Sequence, residues 1–377
     1  MVKKGKLLLP WYKYPPFSNE SIGGLSVAVW EVTRELGKHG VHVDVLTPES
    51  TAEVRGKAQG VMVIASELGR KFCKNQTLVK EEKQALEDYD AILSVANYGA
   101  QTLHSYRRGI SRVSRQIHAG PNRPLSTYVS LTPNKSEYLK MILAKLKDQR
   151  NLRLLKGTKT LCVSEYVRGK MQSGLEDHDN LLMIPNGIQT RSFRPMDEVK
   201  QYDLLFIGRF QKSKGLDILL KALSFVASVK GDIYKLAIVG PFSAGQREYI
   251  FQVVPPAVKR ALAFLGPINR DALPAVINQS RMVVVPSRYE SFGLPALEAI
   301  ACGTPVLAAR VGGLPEIIDE SVGVLVEPDN PHALAKAIHD FFRLPNLAET
   351  VATAGPAKAK RYDWEEVAPQ LQRAFFA

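Results

Sequence analysis

The feature that most constrains this chain is an alternation: apolar runs of four or five residues trade places with amphipathic stretches along its whole length. Strand-like runs fall at 6–9, 41–46, 61–65, 91–95, 113–117, 160–163 and 181–184, and helical spacing fills 25–38, 80–88, 134–156 and 165–173. Runs that are apolar on both faces suit strands covered on both sides, and helices between the strands supply that cover. A second series of the same kind begins at 203–207 and continues at 235–239, 261–265, 282–285, 306–308 and 323–326. The expected fold is therefore α/β, with two doubly wound parallel sheets. A length of 377 residues suits two domains. Pro and charge break the periodicity near Arg191-Ser192-Phe193-Arg194-Pro195-Met196, which sets the expected domains at 1–190 and 191–360. A last helix is expected over 361–377, with Asp363 as its N-cap, packing back on the N-terminal domain.

With 45% hydrophobic and 23% charged residues, the composition excludes disordered, collagen-like and repeat-array chains. No apolar stretch reaches the roughly 18 residues of a spanning helix. The run at Leu7-Leu8-Leu9 is too short for a signal-peptide core, so the expected location is cytoplasmic. Cys73, Cys162 and Cys302 lie far apart, without disulfide or zinc spacing. The net charge of +13 is concentrated: residues 101–175 hold 15 Lys and Arg against Glu137, Asp148 and Glu165, a local excess of +12. Such a field attracts anions, whether phosphate-bearing substrates, acidic lipid surfaces or nucleic acid; the plain alternative is a solvated helix face. Stacking aromatics in the segment are sparse (Tyr106, Tyr128, Tyr138, Tyr166), which argues against nucleic acid. The stretch around Leu139, Ile142, Leu143 and Leu146 reads as a basic amphipathic helix, to be docked either on an anionic membrane or on the sheet.

The strongest chemical signal is Pro286-Ser287-Arg288-Tyr289-Glu290-Ser291-Phe292-Gly293-Leu294-Pro295-Ala296-Leu297-Glu298. A strand leads into a polar turn, and a helix starts near Leu294 with Pro295 in its first turn. Free N–H groups and the positive end of the helix dipole there suit a phosphate. Carboxylates at Glu290 and Glu298, eight residues apart, suit sugar hydroxyls, so the pair points to a nucleotide sugar; the plainer reading leaves Glu298 on the surface. Gly208-Arg209-Phe210-Gln211-Lys212-Ser213-Lys214-Gly215 also follows a strand, and Arg209 and Lys214 suit the oxygens of a diphosphate. Gly23 and Gly24 precede a helix and permit close backbone approach to a ligand, without making a dinucleotide fingerprint. His118 closes a strand-like run, at the sheet edge where ligands bind. Asp177-His178-Asp179 spells a metal-binding pattern, but no strand leads into it, and no metal site is expected.

Taken in order, these residues resemble the retaining glycosyltransferases of family 4. The resemblance rests on Cys162-Val163-Ser164-Glu165, Ile184-Pro185-Asn186-Gly187-Ile188 with Phe193 and Pro195, Gly208-Arg209-Phe210 with Lys214-Gly215, and Phe264-Leu265-Gly266-Pro267-Ile268. It continues through the Glu290 to Glu298 pair, Ala301-Cys302-Gly303-Thr304-Pro305-Val306 and Gly312-Gly313-Leu314-Pro315-Glu316. Gln189 departs from it, where the family commonly has Asp. The resemblance implies the GT-B architecture, two Rossmann-like domains facing across a cleft, and a hexosyl or N-acetylhexosaminyl transfer from a nucleotide sugar, a UDP-sugar, to a hydroxyl acceptor. It implies that Arg209 and Lys214 bind the donor diphosphate, that Gly293 and Leu294 contact it through backbone N–H groups, and that Phe292 belongs to the same nucleotide-sugar site. Glu298 would hold the ribose, Glu290 and His118 would lie at the transferred sugar, Ile268 would mark the base, and Gly23 and Gly24 would sit beneath the phosphates. No metal and no resident cofactor are implied, and domain closure would exclude water. The basic segment adds an expectation of an anionic or membrane-presented acceptor, with peripheral contact at the inner face of a membrane. A catalytically silent GT-B protein with a binding role and a sugar-nucleotide epimerase are the alternatives.

Overall fold

The computed structural model describes residues 5–10, 24–47, 54–58, 61–65, 71, 80–95, 113–117, 158–175, 180–343 and 346–376. They fall into two compact units. The first holds strands β1 (Lys6–Pro10), β2 (His42–Thr47), β3 (Val54–Ala58), β4 (Val61–Ala65), β5 (Ala91–Val95), β6 (Val113–Ile117), β7 (Lys159–Cys162) and β8 (Leu181–Met183). The second holds β9 (Tyr202–Ile207), β10 (Leu236–Val239), β11 (Leu262–Gly266), β12 (Ser280–Val285), β13 (Val306–Ala309) and β14 (Gly323–Val326). The helices used below are α1 (Gly24–Lys38), α2 (Leu216–Lys230), α3 (Leu294–Ala301), α4 (Pro331–Phe341), α5 (Asn346–Ala359) and α6 (Trp364–Phe376).

The first sheet runs β3-β4-β2-β1-β5-β6-β7-β8, parallel throughout except where β3 meets β4. The sequence reading does not include that antiparallel edge strand: Val-Arg-Gly-Lys-Ala interleaves charge and glycine and lacks the apolar run by which the other strands are read. On one face Leu7, Leu9, Val43, Val45, Ala91 and Leu93 join Val29, Val32 and Leu36 of α1. Helix α6 fills the same core with Trp364, Val367, Leu371 and Phe375, although it follows the second unit in sequence. Full burial of such side chains contributes roughly 1.5–3 kcal/mol apiece. Trp364 donates its indole N–H to Glu31 at 3.3 Å. Its ring also fills the space beside Gly187, where an added Cβ would come within 2.4 Å.

The second sheet runs β11-β10-β9-β12-β13-β14, with every pair parallel. Alternate residues Leu204, Phe206, Ile238, Met282 and Val284 pack on Leu216, Leu219, Leu223 of α2 and Leu334, Ile338 of α4. The opposite face, with Leu205, Val283 and Val285, is equally buried, and α3 packs there against β12 and β13 with α5 behind it. The units divide at Gly187/Ile188 and again at Asp363/Trp364. Beside these junctions Ile188 donates its N–H to the Tyr362 carbonyl at 2.8 Å, and the Asp363 carboxylate accepts from the Thr190 N–H at 3.1 Å. Among the described residues no helix is long and apolar enough to cross a membrane.

Candidate functional site

In the second sheet the chain builds β9, β10 and β11 outward in one direction, then returns so that β12 pairs with the other side of β9. The loops leaving β9 and β12 at their carboxyl ends must part there, and the gap is where open α/β sheets take ligands. The two loops are 208–215 and 286–293, the two stretches singled out by their chemistry in the sequence.

They are stitched together closely. The Arg288 N–H donates to the Ser213 carbonyl at 2.8 Å. Gly215, at φ +70, approaches so near that a Cβ would lie 1.9 Å from the Pro286 carbonyl oxygen. Arg288, whose side chain the motif reading left without a role, grips Asp217 with a two-pronged fork, both contacts at 2.8 Å. It also bonds Asp329 at 3.0 Å and the Lys212 carbonyl at 2.8 Å. Such bidentate, charge-assisted contacts fix position as well as attraction. The loop after β13 completes the arrangement: Gly313 donates to the Glu290 carbonyl at 3.1 Å, and Gly312 lies directly against the same group.

Within this frame Lys214, in a single 3₁₀ turn (Lys212–Lys214), donates to Glu290 Oε2 at 2.8 Å. The two side chains are mostly buried, so water screens the pair only in part. Arg209 is exposed and has no side-chain hydrogen bond or ion pair among the described residues. Gly293 caps α3 in the left-handed region at φ +108. Pro295 has no N–H, while Ala296 and Leu297 give theirs to the Gly293 carbonyl at 3.0 Å. The N–H groups of Gly293 and Leu294 are left at the head of the helix, the arrangement that binds anions.

Glu298 does not lie on the surface. It is 3% exposed and pairs with Arg270 Nη1, a residue the sequence reading passed over. The usable signal was indirect: a carboxylate buried inside a helix requires a countercharge. Its negative charge is felt at Cys302, whose thiol burial first, and Glu298 second, push up to about 12.

The other expected residues fall as follows. Ile268 is half-buried on the loop after β11, two residues before Arg270. Phe292 is buried and meets the Tyr362 ring edge-on at 5.8 Å. Gly24 is the first residue of α1, which follows β1, and β1 lies between β2 and β5 at the first sheet's own reversal point. Gly23, His118, the Asp177-His178-Asp179 pattern and the stretch 134–156 lie outside the described residues, as does most of the basic segment 101–175. Among the described residues no three His, Cys, Asp or Glu side chains converge as metal ligands would.

The model for glycosyltransferase family 4 matches residues 22–192, and that for glycosyl transferases group 1 matches residues 189–358. D-inositol 3-phosphate glycosyltransferase from Segniliparus rotundus is 34% identical over 221 residues, covering 53% of this chain and 48% of that protein. The protein of the same name from Thermobifida fusca is 35% identical over 180 residues, covering 46% and 42%. The chain thus spans about half the length of the curated relatives it matches. Sucrose-phosphate synthase from Thermosynechococcus elongatus superposes with a TM-score of 0.76 at 21% identity, covering 99% of this chain and 98% of that one. Anabaena HepE, solved with UDP and glucose, gives 0.73 at 18% identity, covering 98% and 99%. These two likenesses establish the fold, GT-B, with one Rossmann-like sheet in each unit.

Proposed function

The chain belongs to the glycosyltransferases of family 4 and group 1, and on that premise we propose that it is a retaining enzyme. It moves a hexosyl or N-acetylhexosaminyl group from a UDP-sugar to an acceptor hydroxyl. The observation that carries the reading is the pair of stitched loops at the switch point, which gathers Lys214, Glu290 and the open N–H groups of α3 beside the Arg209 loop.

In the reaction the bond from the anomeric carbon to the β-phosphate oxygen breaks, and its electron pair leaves with the diphosphate. Arg209, Lys214 and the N–H groups of Gly293 and Leu294 meet the charge that develops there, a role assigned to them rather than to a metal. The acceptor oxygen bonds to the same face of the anomeric carbon and its proton passes to the departing phosphate oxygen, so configuration is retained. Lys214 enters the cycle paired with Glu290, so the arriving diphosphate exchanges its own oxygens for that carboxylate and frees Glu290 for the sugar hydroxyls. Glu298 takes the ribose and Ile268 borders the base, while the resemblance assigns His118 to the sugar and Gly23 and Gly24 to the phosphates.

The uracil base finds support in the UDP-bound HepE structure, which shares the fold. An anionic acceptor finds support in the +12 segment and in the inositol phosphate that the relatives' names carry. A thermal-shift panel of UDP-, GDP- and ADP-sugars, with and without chelator, tests the reading. Ligand at 100 times its Kd should add about 2.7 kcal/mol to stability. The expected result is a shift with the UDP-sugars that the chelator leaves intact. No shift with any donor, or a shift that the chelator abolishes, overturns it.

A further inference from the structure

We infer that Arg270 is a positioning residue for the nucleotide, holding the Glu298 carboxylate ionised and turned so that one oxygen serves the ligand's ribose. The inference rests on the proposed role of Glu298.

Glu298 sits in α3, where residues 296 to 301 are all buried. A carboxylate in such surroundings gives up its charge unless a cation or hydrogen bonds compensate it. Arg270 supplies both, because its guanidinium is permanently protonated and Nη1 bonds Glu298 Oε1. Oε2 has no protein donor among the described residues, which leaves it as the acceptor for a hydroxyl. The guanidinium is fixed in turn by Phe193, fully buried, whose ring centroid lies 4.5 Å from Cζ.

Among the described residues, no other cation is paired with Glu298. Cys302, the residue that caps α3 at its C-terminus, keeps its proton far above neutral pH. The Lys200 ammonium is spent on the carbonyls of Asn278 and Ser280, at 2.7 and 2.9 Å. Arg270 stands two residues beyond Ile268, so the loop that borders the base also sets the carboxylate that takes the ribose.

The test is calorimetric titration of the full chain with UDP, GDP and ADP. It uses wild type, R270M, R270K, E298Q and the double variant R270M/E298Q, from about pH 5.5 to about 8.5, where a carboxylate raised by burial titrates. Relative to wild type, R270M should bind about tenfold more weakly at the acid end and recover toward the alkaline end. R270K keeps the charge but not the fork, and should show a smaller loss with no pH trend in the ratio. The double variant should bind no more weakly than E298Q alone, because Arg270 acts through Glu298. A merely structural Arg270 would lower the unfolding temperature without this pH-dependent ratio.

Wild-type affinity in R270M at every pH overturns the inference, as does a loss that adds to that of E298Q. Should R270M fail to fold, R270K decides, and wild-type affinity in it overturns the inference. Wild-type affinity in E298Q, or no binding of any of the three nucleotides to wild type, instead overturns the underlying role of Glu298.

Discussion

Replacing Gly312 by Ala asks whether the Glu290 loop must be held in one place for turnover. Gly312 has φ +59, and a Cβ added there would stand 1.6 Å from the Glu290 carbonyl oxygen and 2.7 Å from its carbon. The left-handed conformation alone costs an Ala about 1–2 kcal/mol. The clash is with backbone, which has no rotamer to escape into, so the two segments must separate by roughly 1.5 Å or more to regain ordinary contact. That separation stretches the Gly313 to Glu290 hydrogen bond of 3.1 Å, worth about 1 kcal/mol. The sum is a loss of about 2–3 kcal/mol, or roughly 5–10 °C in Tm for a unit of this size. A displacement near 1 Å at a reacting group costs about a hundredfold in rate, so turnover should fall by that order. Gly231 provides the control: it has φ +72 but nothing within 4 Å of an added Cβ. Gly231→Ala should lose the conformational 1–2 kcal/mol and keep its turnover. The assay pairs thermal unfolding with sugar transfer, or with donor hydrolysis where no acceptor is supplied, both at a temperature where each variant is folded. Equal turnover in G312A and G231A would refute the requirement for a fixed Glu290 backbone.

Two further outcomes follow from the same geometry. Arg209 is exposed and its removal strands no buried partner, so Arg209→Ala should leave Tm unchanged while turnover falls by about 10²–10³, as for loss of one donor to a developing anion; wild-type turnover in steady-state kinetics would remove it from the mechanism. The Cys302 thiol stays protonated in the folded chain at pH values where an unfolded one ionises, so its contribution to stability is complete below pH 9 and is lost as pH rises toward 12. Native protein at pH 9 should therefore resist iodoacetamide at Cys302, peptide mapping should show labelling only at the rate of unfolding, and rapid labelling of the folded chain would contradict the burial and charge described for that thiol.

Much of the fold was legible because the physics that sets it is local. Met282, Val283, Val284 and Val285 are apolar in succession because a strand covered on both faces buries every side chain, and that pattern is written in neighbouring residues. The turn at Gly293 and Pro295 was legible for the same reason, since both act through their own dihedrals. Strand β3 was not, because an edge strand needs no apolar alternation and its five residues resemble a loop.

The amphipathic pattern of α6 announced a helix, but nothing in 13 residues states that Trp364 packs beside Gly187 and lends its indole N–H to Glu31. Likewise the sequence by itself determined that Arg209, Lys214 and Glu290 stand on loops after strands and Glu298 inside the helix that follows. Only the tertiary structure decided that Lys214 pairs with Glu290 across 76 positions and that Glu298 is buried against Arg270 across 28. Periodicity and turn chemistry act between residues adjacent in the chain, whereas countercharge and close approach depend on which distant segments the sheet order brings together.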